Sequence, residues 1–286
     1  MVEVSIILPA YNEAQVLGQV LERLKDAAPD DGTWEIIVVD DGSNDGTGEI
    51  VSRSGVRLIR HPYNKGNGAA VKSGLREAGG RVVCIIDADG QHDPGEIHRL
   101  LDRLGTYDLV IGSRSSGAGG GRLRRLGNLF YNGLASYLTN HKISDLTSGF
   151  RVARLGPMTE FIPLYPNGFS FPVTSTLAFI KAGYSVGFEP VNVAERVGRS
   201  KIRLVRDGVK FVLIALRIIM LFSPLRVFFP VSAFLFTLGA GYGVYTICTE
   251  VHVTNTTVLL CLTSLLIFLI GLVSEQIALM RFERRG

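Results

Sequence analysis

Cysteine is scarce in this chain, with three residues in 286, and no C-x-x-C pair occurs. Cys84, Cys248 and Cys261 cannot build a disulfide scaffold, so zinc-ribbon and thioredoxin readings fall away. No G-x-x-x-x-G-K-[ST] occurs, which excludes a P-loop NTPase. Nor does a G-x-G-x-x-G follow the first expected strand, where Pro9-Ala10-Tyr11-Asn12-Glu13 stands instead, so a dinucleotide-binding Rossmann site is disfavoured. Glycine is plentiful at 33 residues but shows no G-X-Y period, which excludes collagen. Charged residues make up only 20% against 47% apolar ones, unlike a disordered chain or a nucleic-acid-binding tail. The opening Met-Val-Glu-Val-Ser has no basic stretch followed by an apolar run, so no signal peptide is expected there.

What is present is unevenly spread. Residues 1–195 hold 19 Lys and Arg against 22 Asp and Glu, whereas residues 196–226 hold eight basic residues against Asp207 alone. Two apolar runs follow. Val227–Thr249 is 23 residues without a charge, and Thr257–Met280 carries only Glu275. A bilayer core takes about 20 apolar residues per helix, so both runs are long enough to span it. The loop between them has no Lys or Arg, while Arg217 and Arg226 precede the first span and Arg281, Arg284 and Arg285 follow the second. The positive-inside rule then places the N-terminal part and the C-terminus in the cytoplasm. Ahead of the spans, Arg203, Arg206, Lys210 and Arg217 share one face of an apolar helix expected over residues 202–222, which suits anionic membrane lipids. Three parts are expected: a catalytic domain over 1–195, a basic juxtamembrane segment over 196–226, and a two-helix transmembrane hairpin with a short tail over 227–286.

In the first part, short β-branched runs alternate with helix-length segments. Val4–Leu8, Glu35–Val39, Val56–Arg60, Val82–Ile86 and Asp108–Ile111 read as strands. Val16, Leu17, Val20, Leu21 and Leu24 recur at helical spacing, and Gly68–Ala78 and Pro94–Leu104 read as further helices. This alternation predicts an α/β fold with a mostly parallel sheet. Ligands of such sheets bind beyond the carboxyl ends of the strands, so function is sought in the residues after each strand.

Two of those positions are acidic. Asp40-Asp41-Gly42-Ser43 follows the second strand, where a carboxylate can accept from ribose hydroxyls or base N–H groups. An EF-hand is excluded, because the twelfth position from Asp41 is Ser52. Asp87-Ala88-Asp89-Gly90-Gln91 follows the fourth strand. Carboxylates at i and i+2 leave an extended strand on one side and can share a hard cation, Mg²⁺ or Mn²⁺, with diphosphate oxygens completing its shell.

In order along the chain, P-A-Y-N-E, V-V-D-D-G-S-N-D-G-T, N-K-G-N-G-A-A and D-A-D-G-Q resemble the GT-A glycosyltransferases of family 2. With S-D-L-T-S-G-F-R (Ser144–Arg151), R-V-G-R-S-K (Arg196–Lys201) and the membrane runs, the chain more narrowly resembles the polyprenyl-phosphate glycosyltransferases, of the dolichol-phosphate mannosyltransferase type. The resemblance implies a Rossmann-like GT-A domain and transfer of a sugar from a GDP- or UDP-sugar to a polyprenyl phosphate, with inversion. It implies that Pro9, Tyr11, Glu13, Asp41, Lys65 and Asp87 hold the nucleotide. Asp87, Asp89 and Gln91 would hold the metal and sugar diphosphate. Arg114 and Arg124 would meet the acceptor phosphate, with Asn128 where relatives often have serine. Arg196, Ser200 and Lys201 would close over the phosphates.

The chemistry agrees with that assignment. Breaking a glycosyl–diphosphate bond puts charge on the diphosphate, which a divalent ion and Lys201 would stabilise. A lipid phosphate, with a second pKa of about 6, needs no general base at neutral pH. It needs positioning, which guanidinium groups supply. Five basic residues and no acidic one lie between Asp108 and Asp145. A processive polysaccharide synthase would need Q-x-x-R-W, but the single tryptophan is Trp34. A membrane-tethered transferase with another acceptor and a non-catalytic nucleotide-sugar sensor are the alternatives. No nucleic-acid partner is expected, since the basic cluster adjoins apolar spans rather than base-stacking aromatics. Sugar, nucleotide, polyprenol and homo-oligomeric state are left open.

Overall fold

A computed structural model describes residues 1–114, 132–133, 135–137, 139–168, 170–194, 220 and 223–283. The chain divides into two compact units, Met1–Ile202 and Arg203–Gly286.

The first unit is built on β1 (Val4–Ala10), whose seven residues are all buried. Its run of Ile6, Ile7 and Leu8 has no polar alternation, as expected of a strand covered on both faces. β2 (Trp34–Asp40), β3 (Arg57–Arg60) and β4 (Val82–Ile85) join it in parallel. β5 (Leu109–Arg114), β6 (Arg151–Arg154) and β7 (Val186–Val191) complete a seven-stranded sheet in the order β3-β2-β1-β4-β6-β5-β7. β6 alone runs antiparallel to its neighbours, β4 and β5.

Helices cover the sheet where the apolar spacing requires. α1 (Ala14–Ala27) buries Leu17, Val20, Leu21 and Leu24, a single stripe at helical period. α2 (Thr47–Ser54), α3 (Asn67–Glu77) and α4 (Ile97–Arg103) follow β2, β3 and β4. Proline starts the 3₁₀ turn Pro94–Glu96 that leads into α4, with the Asp93 carboxylate accepting from Gly95 N. Two more helices, α5 (Leu155–Glu160) and α6 (Phe171–Lys181), lie between β6 and β7. The expected α/β fold and all five expected strands are present. β5 runs three residues further than its apolar core, to Arg114, because Gly112, Ser113 and Arg114 pair with Glu189, Pro190 and Val191 of β7.

This topology gathers the site at one edge. β1, β2 and β4 end there at Ala10, Asp40 and Ile85, and β5 ends at Arg114. Antiparallel β6 starts at that edge, with Arg151 paired to both Ile85 and Ile111. The segment 145–150 therefore reaches the same edge from the opposite direction.

The second unit, among the described residues, is a helical hairpin of α7 (Leu225–Glu250) and α8 (Asn255–Glu283). Their stretches Leu225–Thr249 and Asn255–Met280 have mean hydropathies of 1.6 and 2.6 and are long and apolar enough to cross a membrane. Small residues bring the helices together: Ser264 Oγ donates to Ser232 O at 2.8 Å, and a Cβ on Gly271 would stand 2.6 Å from the Phe228 side chain. Glu275, the charge inside the second apolar run, accepts from the Leu225 N–H at 3.0 Å and so satisfies a donor at the start of α7. The expected juxtamembrane helix over 202–222 lies, except for Met220, outside the described residues.

Candidate active site

The turns after β1 and β2 are laced together by backbone donors and side-chain acceptors. Asn12 N donates to Ser43 Oγ at 2.9 Å, Glu13 N to Thr47 Oγ1 at 3.0 Å and Ala14 N to Asp45 Oδ2 at 3.0 Å. In return, Asn44 N donates to Asn12 Oδ1 at 3.0 Å. The N–H groups of Asn12 to Ala14, which no helical carbonyl serves, are thereby satisfied. Asn12 adopts a left-handed φ of 55°, a conformation asparagine tolerates better than most residues. Pro9 is buried in β1, Tyr11 is 39% exposed, and Glu13 precedes α1.

Of the paired aspartates after β2, Asp40 is fully buried. Its Oδ1 accepts from Ser43 N at 2.8 Å, and Arg60 Nε stands 3.3 Å from Oδ2. Asp41 turns toward the loop after β3. Its Oδ1 accepts from His61 Nδ1 at 2.7 Å and Lys65 N at 2.9 Å, and its Oδ2 from Gly66 N at 2.8 Å. His61 Nε2 lies 2.9 Å from Ser73 Oγ. Gly42 packs so closely that a Cβ would stand 2.6 Å from the Tyr63 carbonyl carbon, and its φ is 75°, so only glycine fits. A recess of about 440 Å³ is lined there by Gly42, Ser43, Arg60, His61 and Pro62. Lys65 extends its ammonium 5.7 Å from the Tyr63 ring centre.

Asp87 and Asp89 follow β4 directly, both half-buried. Gly149 lies against the Asp87 carboxylate so tightly that a Cβ would collide with it. Asp89 Oδ1 accepts from Gln91 N at 3.2 Å, and the Gln91 side-chain amide approaches Ala194 O at 3.4 Å. Among the described residues no group of three or more His, Cys, Asp or Glu converges as a metal cage. Two carboxylates at the carboxyl end of the sheet are a donor set that could hold a Mg²⁺ or Mn²⁺ ion, a hard cation that takes few protein oxygens and keeps water in its shell.

The wall beside this turn is charged and buried. Arg114 Nε and Nη2 meet Asp145 Oδ2 and Oδ1 at 2.8 and 3.0 Å, and Nη2 also donates to Thr147 Oγ1 at 2.6 Å. Burial opposes ionisation of Asp145, but the Arg114 fork and backbone donors outweigh it and hold the carboxyl below its ordinary range. His92 packs on Phe150, with ring centres 5.2 Å apart, and burial pushes its imidazole pKa down. Arg151 is fully buried. It donates to Ser148 O, to Pro172 O at 2.9 Å and to Ser175 Oγ at 2.6 Å, and burial lowers its pKa to about 10.

The structure thus brings Pro9, Tyr11, Glu13, Asp41 and Lys65 to one half of the sheet edge, and Asp87, Asp89, Gln91 and Arg114 to the other. Arg124, Asn128, Arg196, Ser200 and Lys201 lie outside the described residues. His61, Ser73, Asp145, Gly149 and Arg151 join the site without having been singled out individually by sequence. His61 was findable, since it directly follows β3.

An α/β sheet with one antiparallel strand, a D-x-D turn after β4 and an acidic turn after β2 defines a GT-A glycosyltransferase domain. Residues 5–160 match the glycosyl transferase family 2 model, and the chain belongs to that family. Residues 223–280 match the GtrB C-terminal hairpin. Over 158 residues the chain is 33% identical to an uncharacterized protein of Methanocaldococcus jannaschii, covering 52% of this chain and 63% of that one, under two thirds of its length. It is 31% identical over 212 residues to undecaprenyl-phosphate mannosyltransferase of Micrococcus luteus, covering 68% of this chain and 85% of that one. The fold is like that of glucosyl-3-phosphoglycerate synthase from Mycobacterium tuberculosis, solved with Mn²⁺ and UDP-glucose. The TM-score is 0.60 at 23% identity, over 76% of this chain and 77% of that one.

Proposed function

We propose that the chain transfers a sugar from a nucleoside diphosphate to a polyprenyl phosphate at the cytoplasmic face of a membrane, with inversion at the anomeric carbon. The observation that carries this reading is the joining of a D-x-D sheet edge to an apolar hairpin of the GtrB type in one chain. The likeness to undecaprenyl-phosphate mannosyltransferase supports the acceptor class.

In this reading the turns after β1 and β2, with Pro9, Tyr11, Glu13, Asp41 and Lys65, hold the nucleoside. Asp87, Asp89 and Gln91 hold a divalent ion, which when bound offsets the charge that develops on the leaving diphosphate. Gly149 keeps room for the Asp87 carboxylate, and Arg151 anchors the Ser148 carbonyl beneath it. Arg124 and Asn128 orient the acceptor phosphate, with Arg114 nearby. The dianionic phosphate is itself the nucleophile, so no side chain is required to remove a proton. Arg114 orders the 145–147 turn through its ion pair with Asp145. Arg196, Ser200 and Lys201 bring further donors to the diphosphate. The parts 1–195, 196–226 and 227–286 serve as catalytic domain, basic collar and anchor. Incubating the purified full chain with a panel of nucleotide sugars and a short polyprenyl phosphate, with mass spectrometry of the lipid fraction, tests this reading. A glycosyl-phosphoryl-polyprenol supports it, and its absence across the panel contradicts it.

A further inference from the structure

A second loop stands directly behind the turn that carries Lys65. A Cβ on Gly66 would collide with Asn167 O and one on Gly68 with Pro166 O, so the two backbones touch. Asn167 O also accepts from Ala69 N at 3.0 Å, serving an N–H in the first turn of α3 from outside the helix. From the other side, Asp41 accepts from Lys65 N and Gly66 N at 2.9 and 2.8 Å. The 65–68 turn is therefore held between Asp41 and residues 166–168.

Lys72, about one helical turn past Gly68, ties that loop back to α3. Its ammonium donates to Tyr165 O at 3.2 Å and to Asn167 Oδ1. Both acceptors are uncharged, and burial together with the nearby Arg76 lowers the pKa of the lysine. Moving part of a charge out of water for two such bonds adds little net stability. What the arrangement fixes is the position of the loop. The loop's own footing is Tyr165, which is 3% exposed and meets the Phe171 ring edge-on with centres 4.8 Å apart. Asn167 itself is exposed, so Lys72 and the Ala69 N–H are what fasten it.

We propose that Lys72 is a positioning residue for the nucleotide. By fastening Tyr165 and Asn167 to α3 it keeps the loop pressed behind the 65–68 turn, and so holds Lys65 where it meets the nucleoside. The inference rests on the placement of Asp41 and Lys65 at the nucleoside, proposed above, and adds a residue that touches neither nucleotide nor metal.

The test is calorimetric binding of UDP and GDP to the full chain in detergent, with saturating Mn²⁺ and no acceptor, followed with whichever the wild type binds. Lys72→Met should weaken that nucleotide by at least about threefold and up to about thirtyfold, the range in which residues that contact no ligand alter binding. Lys72→Arg keeps the charge and the donors and should recover part of the loss. Mn²⁺ affinity without nucleotide, read from the free-ion electron paramagnetic resonance signal, should stay within about twofold, because Asp87 and Asp89 lie on the other half of the edge. Nucleotide affinity within about threefold of wild type in Lys72→Met, the scale of an ordinary surface change, would overturn the inference. So would a parallel loss of Mn²⁺ affinity, which a general loosening of the fold gives, or no recovery in Lys72→Arg. If Lys72→Met does not fold, Asn167→Ala, which removes one of the two acceptors from an exposed position, decides by the same criteria. Failure of the wild type to bind either nucleotide would instead remove the proposed function itself.

Discussion

Arg114 and Asp145 are 31 positions apart in the chain and form a two-bond fork at 2.8 and 3.0 Å at the edge of the sheet. The pair ties the end of β5 to the turn that leads into β6, and its carboxylate side chain is only 9% exposed. Replacing Asp145 by Asn leaves a mostly buried guanidinium without its counter-charge, at a cost of about 2–4 kcal/mol. Thermal unfolding should show a Tm lower by roughly 5–10 °C at pH 7. Because the folded carboxyl titrates below its ordinary value, the pair's contribution is complete above about pH 5 and fades as the pH falls through the folded pKa. Wild type and Asp145→Asn should therefore converge in Tm toward acid pH. A gap that stays constant down to pH 3 would show that the ion pair is not its source.

The contact between Gly149 and Asp87 makes a prediction about the divalent ion. A methyl group at 149 must displace the Asp87 carboxylate. Gly149→Ala should weaken Mn²⁺ binding, read from the free-ion electron paramagnetic resonance signal, by at least about tenfold, the scale of a disturbed ligand support. Asp89→Asn should do the same while keeping the ligand-free Tm. Chelation should stop turnover, with Mg²⁺ or Mn²⁺ restoring it. Unchanged Mn²⁺ affinity in both variants would remove the ion from this edge.

If Arg124 orients the acceptor, Arg124→Ala should raise the KM for polyprenyl phosphate, lower kcat, or both, by roughly 30- to 1,000-fold in kcat/KM. Arg124→Lys should recover part of the loss, because ammonium keeps the charge without the planar fork. Donor affinity without acceptor should hold. Kinetic constants within about threefold of wild type, the scale of an ordinary surface change, would take Arg124 out of the site.

The hairpin turn between α7 and α8 carries no Lys or Arg from Val251 to Thr254. With Cys248 and Cys261 replaced, a cysteine at Thr254 should react with an impermeant thiol reagent outside intact cells, and one at Gly286 should not. The reverse pattern would invert the orientation.

Much of this architecture is legible in the sequence, for physical reasons that differ by element. β1, β2 and β4 are continuous β-branched runs, and the motif turns that follow them fall where a parallel sheet puts ligands. β6 and β7 escape the same reasoning. Arg-Val-Ala-Arg is short and charged at both ends, and Val-Gly-Phe-Glu-Pro-Val contains two poor strand formers. Their pairing comes from neighbouring strands rather than local propensity. The carboxylates Asp41, Asp87 and Asp89 are visible as motifs, but their partners are not. His61 reaches Asp41 from 20 positions away and is itself met by Ser73, and Asp145 reaches Arg114 across 31 positions, distances that no local spacing encodes.

The account stands on a phosphate, not a hydroxyl, as the nucleophile. The most direct measurement compares undecaprenyl phosphate with undecaprenol as acceptors for the purified chain, using the nucleotide sugar that it turns over, with product quantified by mass spectrometry. The account predicts glycosylated product from the phosphate and none above background from the alcohol, because a phosphate dianion attacks without losing a proton whereas a hydroxyl must lose one. Comparable product from the alcohol, or donor hydrolysis with no lipid product from either, would contradict it.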